Sequence, residues 1–223
     1  MSNNIIFNHN FCESVLNNYN SPEILNSYSS FFISLIPLLM GFPENIHFKN
    51  VSYMLLLNGF FSFYYHYYLS WTGKQLDEVT MILANYHGIN GLIQLYNNKT
   101  EIKLNLYNSM FMTMFIILNT VPQFDFLFPH IFGVYICSTV YLLNHSSKIY
   151  NCRMTVLLYL SYSLLGAMCW IISEIYCHQY TKYGHVFWHI LFPFGFYKIL
   201  KIYDNLSLTN YSANKFSSPF LYE

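Results

Sequence analysis

The sequence predicts an all-α integral membrane protein, a bundle of seven transmembrane helices, and three observations carry that prediction. Charged residues make up 9% of the 223-residue chain, where about 25% is usual for a soluble globular protein. Hydrophobic residues make up 54% and aromatic residues 21%, which leaves too little polar material to coat a water-soluble globule. Apolar runs recur along the whole chain between short polar or Pro/Gly-containing breaks, the pattern of successive membrane-spanning helices. Lys plus Arg and Asp plus Glu balance at 10 each, so no net charge draws the chain to nucleic acid.

The elements follow in order. Residues 1–26 are polar, with a turn signal at Asn20, Ser21 and Pro22. They lack the basic start and apolar run of a cleavable signal, so the first span is expected to direct insertion and 1–26 to form a luminal segment. Spans are predicted at about 27–42, 51–71, 75–96, 106–121, 130–144, 154–177 and 185–203, together one transmembrane domain over 27–203. A tight polar turn at Thr72, Gly73 and Lys74 separates the second span from the third. A polar tail, 204–223, is expected to be mobile and cytosolic.

Orientation comes from the basic residues. With the amino terminus luminal or extracellular, Lys49, Lys99, Lys103, Lys148, Arg153, Lys198, Lys201 and Lys215 fall on the cytosolic side, and Lys74 and Lys182 opposite. The positive-inside rule favours that arrangement, with the carboxyl terminus cytosolic.

Two stretches carry the candidate chemistry. In the second span Ser62 and His66 are four apart, and Asp77 follows early in the third; in the seventh, His185 and His189 are again four apart. Residues at i and i+4 share a helical face. The predicted topology sets all five residues at a similar depth near the luminal face. Three histidines with a carboxylate and a hydroxyl beside them are the parts of a zinc site with a coordination position open to water. Each residue also has a plainer reading. A lone His in an apolar helix is commonly a packed core residue, Asp77 and Glu78 suit a helix N-terminus, and Ser62 could bond its own backbone. Ionisable groups at membrane depth are costly, which favours function. His87, His130 and His145 lack partners at ligand spacing and read as structural. Tyr64, Tyr65, Tyr67, Tyr68 and Trp71 read as an interfacial aromatic belt, with substrate stacking the alternative. Cys12 and Cys177 both fall on the luminal side, where an oxidising environment permits a bridge; two free thiols are the alternative.

Taken together, Ser62 with His66, Gln75 with Asp77 and Glu78, and His185 with Trp188 and His189 resemble the motifs of the alkaline ceramidases, seven-helix membrane hydrolases related to the adiponectin receptors. Cys12 with Glu13, then Ser21, Pro22 and Ile24, resemble that family's amino-terminal pattern, and Cys169, Trp170 and Cys177 the end of its sixth helix. The resemblance implies zinc held by His66, His185 and His189, Asp77 as the base for a zinc-activated water, Ser62 steadying that water or the developing oxyanion, and a Cys12–Cys177 disulfide. It implies hydrolysis of the ceramide amide to a sphingoid base and a fatty acid, in endoplasmic reticulum or Golgi membranes, with the bilayer and a ceramide-type lipid as partners and no obligate protein partner. Alternatives are another amide or ester lipid, or a non-catalytic zinc-stabilised receptor or scaffold.

Some positions depart from the family pattern. Its calcium site uses an Asp and a second Glu where this chain has Asn10 and Asn26; Phe11 replaces a Trp, and only Glu13 keeps its charge. Calcium affinity follows ligand charge, so the site made of Glu13, Asn10 and Asn26 is expected to be weak or vestigial and activity calcium-independent. An Asp-Arg pair expected near the end of the sixth helix reads Ser173 and Glu174, which leaves Glu174 without an assigned partner.

Overall fold

The structure, a computed structural model, describes residues 11–18, 22–95 and 101–217, without the side chains of 101, 102, 125 and 209–217. Asn10, Asn20, Ser21 and Lys99 lie outside the described residues. No strand occurs among those described. A short helix, α1 (Cys12–Leu16), precedes seven long ones: α2 (Ile24–Met40), α3 (Ile46–Tyr68), α4 (Trp71–Gln94), α5 (Glu101–Asn119), α6 (Phe128–Ile149), α7 (Arg153–Ile175) and α8 (Gly184–Ser217). The long helices occur in the order of the predicted spans.

Three boundaries differ from the prediction, each for a physical reason. The turn before α4 lies at Leu69 and Ser70, not at Thr72 to Lys74. Leu69 takes the left-handed conformation at φ 47°, and the Ser70 hydroxyl accepts from the Gly73 amide at 3.1 Å. That N-cap starts the helix early, so Asp77 sits in its second turn. The last helix does not stop at 203 but continues to Ser217, because no Gly or Pro interrupts the chain until Pro219. At the other end, α1 forms within the segment read simply as polar.

Only α7, among the described residues, is both long and apolar enough to cross a membrane on its own; α2 is apolar but has 17 residues. The other long helices hold polar side chains that lower their hydropathy, and many of these point inward. Asn58, Ser62 and His66 of α3, Asp77, Glu78 and Asn90 of α4, and six serines and asparagines of α2 and α3 besides are buried. Leu38, Leu39, Ile117, Ile149, Met154 and Ile175, by contrast, are more than half exposed. The bundle thus turns apolar side chains outward and much of its polar chemistry inward.

Helix packing closes a ring: α2 on α3, α3 on α4, α4 on α6, α6 on α7, α7 on α8 and α8 back on α2. Helix α5 packs on the flank of α4. Glycine permits the closest approach at the start of α8, where a Cβ on Gly184 would lie 2.1 Å from the Cys169 carbonyl oxygen. Further along α8, the Asp204 carboxylate accepts from the amides of Glu44 (3.0 Å) and Asn45 (2.8 Å), satisfying donors at the entry to α3. These two contacts hold α8 against α7 and the α2–α3 loop, and with it the register of the histidines it carries.

Candidate metal centre

The site is built on a polar stripe of α3. Asn58, Ser62 and His66 recur every four residues, so they line one face, and all three are buried. Opposite them the Asp77 carboxylate accepts from Asn58 Nδ2 at 2.8 Å and is hydrogen-bonded to Ser62. Ser30 of α2 donates to the Ser62 oxygen at 3.0 Å, so Ser62 is held from one side and directed at Asp77 on the other. Glu78, one residue on, pairs with Lys74 at 2.5 Å across one helical turn.

His185 and His189, in the first two turns of α8, face His66. The potential ligand atoms of the three histidines all lie within 4.8 Å of one another, and the rings are 1–5% exposed. Among the described residues this is the group able to share one metal ion. His66 Nδ1 lies 2.5 Å from Glu23 Oε2, and His189 Nδ1 lies 2.8 Å from Ser29 Oγ. With Nδ1 engaged, Nε2 is the nitrogen those rings can offer a metal. His185 Nδ1 has no hydrogen-bond partner among the described residues; the nearest carboxylate oxygen, of Glu174, is 3.9 Å away. Three buried imidazoles, two with their other nitrogen engaged, suit a borderline-soft cation such as zinc.

The amino-terminal segment closes the site from outside. Cys12 and Cys177 are joined by a disulfide with Cα atoms 5.1 Å apart. Glu174, unassigned from the sequence, accepts from the Cys12 amide at 3.0 Å and from Ser173 Oγ at 3.3 Å, pinning α1 to the end of α7. This places the Phe11 ring 4.7 Å from the ring of His185 and 5.3 Å from that of His66. Tyr65, predicted to lie in an interfacial belt, is instead buried beside Phe11 and His66.

The expected calcium ligands have other contacts here. Both Glu13 oxygens accept backbone amides at the start of α2, from Leu25 (2.8 Å) and Asn26 (2.9 Å). Burial pushes the Glu13 carboxyl above its ordinary range against the pull of those two amides. Asn26 Nδ2 donates to Glu23 at 3.1 Å, and Asn10 is outside the described residues. For Glu23, burial is outweighed by hydrogen bonds from His66, Ser14 and Asn26, which bring the carboxyl down to about 2.

A cavity of about 650 Å³ opens beside the histidines. Its lining comes from α2, α3, α4, α6, α7 and α8, with Ser62, Asp77 and the histidines at one end. Leu92, Leu143, Leu200 and Tyr203 lie at the other. From His189 to Tyr203 is 14 residues along α8, or about 21 Å at the helical rise. A long, mainly apolar chamber with the three histidines, Ser62 and Asp77 at one end fits a lipid better than a polar metabolite.

The ceramidase family model matches residues 7–222. The chain belongs to the ceramidase family. Alkaline ceramidase 1 of Mus musculus is 28% identical over 202 residues, covering 78% of this chain and 71% of that protein. In this ceramidase-family chain, the five residues singled out by spacing, Ser62, His66, Asp77, His185 and His189, do meet in one cavity. Sequence reasoning passed over Glu23, Ser29, Ser30 and Asn58. Asn58 carried a usable signal, since it stands four residues before Ser62; the other three reach the site across helices, where spacing within one element says nothing.

Proposed function

We propose that this ceramidase-family protein hydrolyses the amide bond of a ceramide-type lipid within a membrane, using zinc held by His66, His185 and His189. The observation that carries the reading is the meeting of Asp77 and Ser62 with three clustered histidines at the polar end of an apolar cavity. A structural metal site would need neither a base nor an adjacent hydroxyl. Held by those three histidines, zinc would supply a water whose pKa is lowered to about 7.

The chain's own residues then have distinct tasks. Asp77 accepts the proton of the attacking water on a carboxylate oxygen and returns it to the amide nitrogen as the C–N bond breaks. Water adds to the carbonyl carbon, so one amide and one water become one fatty acid and one sphingoid amine. Asn58 keeps the Asp77 carboxylate turned to the cavity. Ser62, braced by Ser30, gives its one proton to Asp77 at rest; once Asp77 has taken the water proton, that hydroxyl can turn to the carbonyl oxygen as negative charge develops on it. Phe11 and Tyr65 shield the histidines from bulk water.

The outward apolar surface supports a bilayer around the bundle. The distribution of Lys and Arg supports a luminal or extracellular amino terminus and a cytosolic carboxyl terminus; the endoplasmic reticulum or Golgi membrane is what the resemblance to the alkaline ceramidases implies. Glu13 is committed to capping α2, which supports activity without calcium. The test is fatty-acid release from labelled ceramide by purified protein in detergent. Turnover is expected to be lost with a zinc chelator, restored by zinc, and indifferent to a calcium-selective chelator. Turnover that survives complete zinc removal would contradict the zinc assignment, and inactivity of the zinc-loaded protein on every ceramide would contradict the substrate assignment.

A further inference from the structure

Glu23 is 0% exposed, and a carboxylate removed from water needs partners that repay its desolvation. Its partners converge on one ligand. Oε2 lies 2.5 Å from His66 Nδ1, while the Glu23 backbone amide donates to the His66 carbonyl at 3.0 Å. The remaining side-chain bonds, from Ser14 Oγ and from Asn26 Nδ2 at 3.1 Å, fix the carboxylate itself.

Its position makes this arrangement informative. Glu23 occupies the N-cap of α2, where an acidic side chain ordinarily turns back to the first amides of its own helix. Here it makes no such capping bond. Glu13 does that work from α1, accepting from Leu25 and Asn26. The chain thus uses one carboxylate to cap α2 and leaves the other free to turn inward to His66. An ionised carboxylate can only accept, so it keeps the imidazole proton on Nδ1 and directs the Nε2 lone pair away from itself. The three histidines are then held unequally: His66 by a carboxylate, His189 by the Ser29 hydroxyl, and His185 by no hydrogen bond at Nδ1.

We propose that Glu23 is a positioning residue that fixes the tautomer and ring orientation in which His66 presents Nε2 to the metal. The inference rests on the zinc reading above. Its test is zinc affinity of the purified full chain, measured by competition with a chromophoric chelator for wild type and Glu23→Gln, with folding followed by circular dichroism. A folded Glu23→Gln protein should bind zinc about 10–100-fold more weakly than wild type. Zinc binding within twofold of wild type would overturn the proposal while leaving the zinc reading intact. Should that variant not fold, histidine-¹⁵N NMR of zinc-loaded wild type decides. The proposal requires the His66 proton on Nδ1 and metal on Nε2, and metal on Nδ1 would overturn it. A wild-type chain that binds no zinc at all would overturn both readings together.

Discussion

Ser62 stands between Ser30 and Asp77, accepting from the first at 3.0 Å and hydrogen-bonded to the second. On the proposed reading, replacing it with alanine removes the hydroxyl available to the reacting carbonyl and one of two side-chain bonds that align Asp77. Ser62→Ala should therefore lower kcat by about 10²-fold or more with zinc content unchanged; kinetics alongside metal analysis check both halves. At this scale the readable residues were those whose partners lie in the same helix. His66 with Ser62, and His185 with His189, announce a shared face by their spacing alone. Glu23 and Ser29 gave no comparable signal, because their meaning depends on how α2 packs against α3 and α8. Glu13, expected from the sequence to be the charged member of a weak or vestigial calcium site, has a further role that spacing does not announce: its two oxygens cap the helix that follows it.

At the level of elements, α8 is the most tightly constrained, since it carries two of the three histidines and begins against the backbone of α7. A Cβ on Gly184 would lie 2.1 Å from the Cys169 carbonyl oxygen and 2.5 Å from Ser173 Cβ. Gly184→Ala should cost about 1–3 kcal/mol as the start of α8 is pushed outward, and zinc affinity should fall with it because His185 is the next residue. Gly133→Ala in α6 is the control. Nothing lies within 4 Å of the added carbon, so the helix should gain roughly 0.5–1 kcal/mol from the change. Thermal unfolding of the two variants, shifting in opposite directions, checks the packing argument. The order of the seven long helices could be read from apolar runs and breaks. The turn at Leu69 and Ser70 could not, because Gly73 is a stronger turn signal in sequence than a Ser70 cap one helical turn earlier. Nor could the extension of α8 to Ser217, since polar composition alone does not distinguish a helix from an irregular tail.

Across the whole molecule, six helices enclose a mainly apolar chamber with the three histidines, Ser62 and Asp77 at one end, and the Cys12–Cys177 disulfide fastens the amino-terminal segment over that end. The bridge spans 165 residues of sequence. Removing it with Cys12→Ser should cost roughly 2–4 kcal/mol and loosen Phe11 over the histidines, so both thermal stability and turnover should drop. The all-helical architecture was legible because apolar runs separated by short polar breaks recur along the sequence. The enclosed chamber was not, since its walls come from six helices whose facing surfaces no single periodicity specifies. The central claim is that these helices bring a base to a histidine-bound zinc for the hydrolysis of a lipid amide. Its most direct test is fatty-acid release from ceramide by zinc-loaded Asp77→Asn, with zinc stoichiometry measured on the same sample. A loss of about 10²–10⁴-fold in kcat with zinc fully retained is the predicted result; turnover within tenfold of wild type would contradict the account.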